Sequence, residues 1–305
     1  MTPALRLQGR LFCVLSLALA IACLAGVRLD SRYELVATGA LILLLGVPHG
    51  ALDVEVARKL FGIADFKGWT LFSLFYIGLS ALVVAFWFVA PSLFLCAFLA
   101  FAALHFGGDP AAGASTLWRG LYGGAVIVLP ALWHGAELQR LLGLVAGPAS
   151  AAFVASALSL LAAPWLFATV LACALQARTA RLAALELAAL AALAVTAPPL
   201  VSFTVYFCAM HSPRHILRTL NGMRGAAARS ALATALWPTA AVLAAAIGVA
   251  SLASVIPMET RVMQLVFVGL AALTLPHMVL LERARRARVP AERRRWQVQR
   301  PRSDP

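Results

Sequence analysis

The sequence predicts an all-α, polytopic integral membrane protein, a bundle of about ten transmembrane helices with both termini on the cytoplasmic side. Three observations carry the prediction. Of 305 residues, 62% are hydrophobic and only 12% charged, with mean hydropathy +0.89, a composition outside that of soluble globular domains. Apolar runs of roughly 16 to 24 residues recur along the chain, divided by charged or Pro/Gly-bearing joints. Finally, Lys and Arg gather in alternate joints.

Taken in order, the runs fall at 11–29, 34–52, 69–89, 92–108, 116–132, 150–174, 181–197, 199–218, 231–250 and 261–281. The first, behind Arg6 and Arg10, has the basic flank and apolar length of a signal peptide. The topology closes only if it is retained as a helix. Pro198-Pro199 divides the seventh run from the eighth, because a double proline cannot continue a helix. Ten spans put both termini on one side. That side then holds 21 of the 25 Lys and Arg residues, nine of them in the tail, and only Arg28, Arg32, Arg140 and Arg261 fall outside it. By the positive-inside rule it is the cytoplasm. The expected organisation is a cytoplasmic segment at 1–10, a transmembrane domain carrying the site at 11–281, and a basic cytoplasmic tail at 282–305. The tail is expected to be disordered or to lie on anionic headgroups.

The formal charge of +13 follows from basic flanks around apolar spans and argues no nucleic-acid partner. Cys13, Cys23, Cys96, Cys173 and Cys208 are scattered without CxxC spacing, so they read as small buried hydrophobes. The chain contains no Gly-rich phosphate loop, HExxH or GxSxG.

The candidate site begins at Tyr206-Phe-Cys-Ala-Met-His211-Ser-Pro-Arg-His215. Histidines four residues apart stack on one helix face and can grip one metal ion. His49, His105 and His277 lie near the ends of the second, fourth and tenth runs. In this topology those runs, and the eighth, all point inward, so five of the six histidines share the cytoplasmic half of the membrane. His134 falls on the opposite surface. Ionisable groups at membrane depth are expensive and mark function. Asp53 and Asp109, close after His49 and His105, are placed to accept the second N–H of an imidazole. Imidazole suits zinc, copper, iron or nickel, and the absence of nearby thiolates disfavours a soft-metal or cluster site. Tyr206 and Phe207 are expected to line the membrane-side approach. Pro213 cannot donate to the Ala209 carbonyl, so the helix is expected to kink there or restart with Ser212 as its cap. Arg214 points either to headgroups or to Asp53, Glu55 or Asp109. A transporter or metal/proton carrier relaying ions through the inner-leaflet histidines is the competing reading, but it calls for acidic residues deep in the spans, where Glu186 is the main example.

Four stretches, in order, carry a resemblance: Pro48-His49-Gly50-Ala51-Leu52-Asp53; His105-Phe106-Gly107 with Asp109; Tyr206-Phe207 with His211-Ser212 and Arg214-His215; and Pro276-His277-Met278. Together they resemble the Brp/Blh bacteriorhodopsin-related proteins, membrane-bound β-carotene 15,15′-dioxygenases. The resemblance spans about residues 46 to 280. It implies cleavage of the central double bond of β-carotene or a related carotenoid by O2 into two retinals, in a multi-pass protein of the cell membrane, the inner membrane of a bacterium. The implied cofactor is Fe(2+) held by His49, His105, His211 and His215, with His277 just outside or on the substrate side. A retinal-binding opsin is an implied recipient of the product. The chain departs from the pattern at Val54-Glu55, where a further histidine is expected, and at Pro213.

Overall fold

A computed structural model describes residues 2–28, 30–110, 113–221, 223, 225–252 and 255–298, with backbone alone for 31, 32 and 288–298. Every regular element among them is helical. The order is α1 (Pro3–Leu24), α2 (Ser31–Leu41) running into a π-helical turn (Ile42–Gly46), α3 (Pro48–Ala51), α4 (Asp53–Phe61), α5 (Phe66–Val89), α6 (Pro91–Phe106), α7 (Thr116–Val128), α8 (Ala131–Ala146) and α9 (Pro148–Gln176). There follow α10 (Arg181–Thr196), α11 (Pro199–Val205) with a second π-helical turn (Tyr206–His211), α12 (Ser212–Thr219), α13 (Ala226–Leu252) and α14 (Met258–Val298).

Large apolar side chains face outward, and charged groups of the spans are buried inside an otherwise apolar interior. Leu71, Phe88, Leu160, Phe167 and Trp237 are exposed, whereas Asp53, Glu55, Asp109, Glu186 and Arg214 are buried. Water would drive the reverse arrangement; hydrocarbon tolerates apolar exteriors and forces charged groups inward onto one another. α5 is the extreme case, contributing no buried residue at a hydropathy of 2.2. The fold is that of a polytopic membrane helical bundle.

Each of the ten expected runs falls mainly on helix among the described residues, the first ending early, at Leu24. Among the described residues six helical segments are long and apolar enough to cross a bilayer, one of them the composite Tyr33–Phe61 that runs from α2 through α4, and α7 with α8, bent by 60°, makes a seventh crossing if counted as one broken span. α6 and α10 have 16 residues each, short of a full crossing at 1.5 Å per residue. α11 and α12 are parted by the π-turn.

Three boundaries differ from the sequence reading. α1 starts at Pro3, capped by Thr2, so Gln8 and Gly9 of the supposed flank are buried helical residues. The stretch after residue 132, read as a joint, is α8. Its Leu141 and Val145 are buried while Arg140 reaches Glu259 at 3.2 Å, and the interspersed charges had hidden the apolar face. The basic tail is helical as far as Val298, and its last residues, 299–305, lie outside the described residues. At the double proline the expected break is present: Ala197 is extended with ψ 152° and Pro199 opens α11.

Candidate metal centre

Two prolines shape the site. A proline has no N–H, so the i→i−4 ladder opens ahead of it. Ahead of Pro48 the gap is taken up by a π-turn that closes with Val47 N–H donating to Ile42 O at 3.1 Å. Ahead of Pro213 the Ser212 N–H donates to Phe207 O in the same wide turn. His211 and Ser212 keep right-handed helical backbone and Ser212 makes no capping bond, so the chain does not restart with Ser212 as its cap; it continues through a π-bulge, a form common at functional sites. The two bulges touch, with Ser212 Oγ donating to Leu45 O at 2.7 Å. The Ala209 carbonyl freed by Pro213 is taken by Gln8 Nε2 from α1 at 2.7 Å.

The bulges rotate His49 and His211 toward a common centre. His49 meets the rings of His211, His215 and His277 edge-on at centroid distances of 4.9, 5.5 and 5.4 Å. His105 stands 4.6 Å from His211 and 5.2 Å from His277, and His215 lies 5.0 Å from His277. All five histidines assigned to one membrane depth are thus brought together. His134 is elsewhere, its Nε2 3.3 Å from Thr196 O.

Carboxylates orient two of the rings. His211 Nδ1 donates to Asp109 Oδ2 at 2.9 Å, and His277 Nδ1 donates to Asp53 Oδ1 at 2.8 Å. His49 Nδ1 donates to Gly46 O. A ring that spends Nδ1–H in this way carries its lone pair on Nε2. Nε2 of His211 and of His277 are buried without a hydrogen-bond partner among the described residues. Ligand atoms of His49, His105 and His277 lie within 4.8 Å of one another, as do those of Asp53, His215 and His277. Converging, desolvated lone pairs are costly unless a cation sits among them. An all-imidazole set with carboxylates behind it fits iron, zinc, copper or nickel.

Around this centre runs a second layer of charge. Arg214, 1% exposed, donates to both Glu186 oxygens at 2.9 and 2.7 Å, to Gln8 Oε1 at 2.9 Å and to Asp109 O at 3.2 Å. It points neither to headgroups nor to the carboxylates of Asp53, Glu55 or Asp109, although it does touch the Asp109 backbone. Arg218 donates to Gly108 O, Asp109 O and Pro110 O at 2.8, 2.6 and 3.0 Å, fixing the turn that bears Asp109. Gly9 leaves space for the Glu186 carboxylate, since a Cβ there would lie 2.0 Å from Oε1.

A cavity of about 790 Å³ opens onto the histidines, within the ~300–1,000 Å³ range of small-molecule sites. Its wall includes His49, His105 and His277, with Phe207 and Phe203 beside them, and extends to Trp237 on the outer surface of α13. Phe207 forms part of that wall. Tyr206 does not: it is fully buried and donates its hydroxyl to Asp109 Oδ2.

Gln8 and Tyr76 escaped the sequence reading. Gln8 sits between two arginines and looked like flank, and Tyr76 looked like an ordinary span aromatic, yet it donates to Asp53 Oδ2 at 3.0 Å. Only Glu186 left a signal, as a single acid in an apolar run.

Comparison with known proteins gives the family. The sequence profile of a family described as Beta-carotene 15,15'-dioxygenase matches residues 40–283. A protein from uncultured marine bacterium 66A03, named Beta-carotene 15,15'-dioxygenase, is 32% identical over 259 residues, covering 80% of this chain and 91% of that protein. No solved structure matches. The matched segment contains all five clustered histidines and both carboxylates behind them, and the chain belongs to the Beta-carotene 15,15'-dioxygenase family.

Proposed function

We propose that the protein cleaves the central 15,15′ double bond of β-carotene, or of a related carotenoid, with O2 to give two molecules of retinal, using a non-haem ferrous ion. The observation that carries this reading is the junction of an apolar cavity with a cluster of inward-facing imidazoles. His49, His105, His211 and His215 would hold the Fe(2+). The bound iron would supply the activation of O2 that closed-shell side chains cannot.

The chain's own residues do the rest. Phe203, Phe207 and Phe106 form apolar walls along the cavity, where a polyene exchanges lipid contacts for protein contacts and water is kept out. Asp109 holds His211 with Nε2 toward the centre, and Tyr206 and Arg218 hold Asp109. The wall reaching Trp237 gives a lipid-soluble substrate a sideways route from the bilayer. The retinals would leave by the same apolar route, to the membrane or to a retinal-binding opsin. The reading places the protein in the cell membrane as a multi-pass protein, the inner membrane of a bacterium, with both termini cytoplasmic. A transporter reading is less well supported, because Glu186 is locked in a bidentate pair with Arg214 and is not free to relay an ion.

Expression in cells that accumulate β-carotene tests the proposal. Loss of the orange colour with retinal in the extract is the expected result; well-expressed protein with unchanged carotenoid refutes it. Purified protein that contains zinc and no iron refutes the oxygenase chemistry specifically.

A further inference from the structure

The Tyr206–Asp109–His211 chain has a counterpart across the cluster. Tyr76 of α5 donates to Asp53 Oδ2 at 3.0 Å, and Asp53 Oδ1 accepts from His277 Nδ1 at 2.8 Å. In both chains a phenol donates to the carboxylate that also takes the imidazole Nδ1–H, on the same oxygen of Asp109 and on opposite oxygens of Asp53, and the imidazole is left with a buried Nε2 that has no partner among the described residues. The elements supplying them differ: the second π-turn and the turn after α6 in one case, α4, α5 and α14 in the other.

A histidine kept only for structure would gain nothing from this arrangement. A packing histidine uses both ring nitrogens or turns one to solvent. His277 is 2% exposed and has spent its proton on Asp53, so its Nε2 lone pair is aimed into a space shared with other imidazoles. Its ligand atom stands within 4.8 Å of those of His49 and His105, and the ring forms part of the cavity wall. Lone pairs meeting in a dry interior repel one another, and a shared cation removes the repulsion. Tyr76 adds a second constraint, since its hydroxyl also lies 3.4 Å from Leu273 O on α14, one turn before His277.

We propose that His277 is a fifth metal-binding imidazole, held in its coordinating tautomer by Asp53 and by Tyr76 acting through Asp53. The proposal rests on the reading of the cluster as a metal centre and extends its ligand set beyond His49, His105, His211 and His215. Tyr76 and Asp53 are positioning residues, and His277 is the group that touches the ion.

The test uses the purified full-length chain in detergent, stripped with a chelator and titrated with Co2+, whose visible ligand-field bands report the donors around it. The wild type should bind and show nitrogen-ligated bands. His277→Gln should bind more weakly and with displaced bands. Asp53→Asn and Tyr76→Phe should keep His277 on the ion but lower affinity, by roughly 10- to 100-fold for the nearer group, as for other residues that orient a metal ligand. A His277→Gln spectrum and affinity identical to wild type overturns the fifth-ligand assignment while leaving the metal centre intact. Wild-type protein that binds no Co2+ overturns both. Should His277→Gln not fold, Tyr76→Phe, which keeps shape and removes one hydroxyl, carries the test alone: unchanged Co2+ affinity refutes the inference.

Discussion

Removing Arg214 should unfold the scaffold around the centre, and the size of the effect can be worked from its partners. The Arg214 and Glu186 side chains are 1% and 3% exposed and joined by two hydrogen bonds. Arg214→Met strands the Glu186 carboxylate in an interior surrounded by hydrocarbon. Breaking a buried pair by deleting one partner costs about 3–5 kcal/mol, and Gln8 Oε1 loses its donor as well. Asp109 O keeps Arg218, so no further loss is expected there. About 3–5 kcal/mol is a roughly 10²- to 10⁴-fold change in the folding equilibrium. The double variant Arg214→Met/Glu186→Leu removes both charges and should recover most of the loss, because an apolar replacement of a whole buried pair is often neutral. The assay is unfolding in mixed detergent–SDS micelles followed by tryptophan fluorescence. A single variant losing less than about 1 kcal/mol, or a double variant as unstable as the single, refutes the claim that this pair is a buried, mutually compensating unit.

Other substitutions probe the parts separately. A Cβ on Gly46 would lie 2.2 Å from the Phe207 ring, which is itself stacked 5.4 Å from both Phe203 and His211. Gly46→Ala should therefore cost about 1–3 kcal/mol by overpacking and lower both iron content and carotenoid cleavage; wild-type values for both would show that the ring has room to move. Gln8→Ala leaves the Ala209 carbonyl beside Pro213 without its donor, costing about 1–3 kcal/mol; the melting temperature in detergent should fall, and an unchanged one would show that something else satisfies that carbonyl. His211→Ala should abolish both iron binding and turnover, measured by metal analysis and retinal yield. His134→Ala should leave retinal production in carotenoid-accumulating cells unchanged, and loss of activity there would overturn the separation of His134 from the centre.

How much of this was legible in the sequence depends on the distance over which each feature is decided. Membrane character is a local matter of composition, and the apolar runs fell mainly on helix. The five-histidine cluster was legible through an indirect route: charge segregation set the direction of each span, and direction set the depth of each histidine. Asp53 and Asp109 were legible because each follows its histidine motif within four residues, although Asp53 serves His277 and Asp109 serves His211, partners 224 and 102 positions away. Sequence proximity found the carboxylates but could not say which rings they serve.

The same limit explains Pro213. Its missing N–H is a covalent fact, readable from one residue, and it correctly marked Ala209 as a carbonyl in need of a donor. What answers that need is Gln8, 201 residues earlier in α1, a helix outside the segment matched by the family profile. Nothing in Arg6-Leu-Gln-Gly-Arg10 distinguishes Gln8 from a solvated flank until α1 is laid against α10. There Gly9 admits the Glu186 carboxylate, and Arg214 carries the contact back to Gln8. The first helix is thus tied to the π-turn bearing His211, and a flaw introduced at its start is expected to appear as a defect in the metal centre.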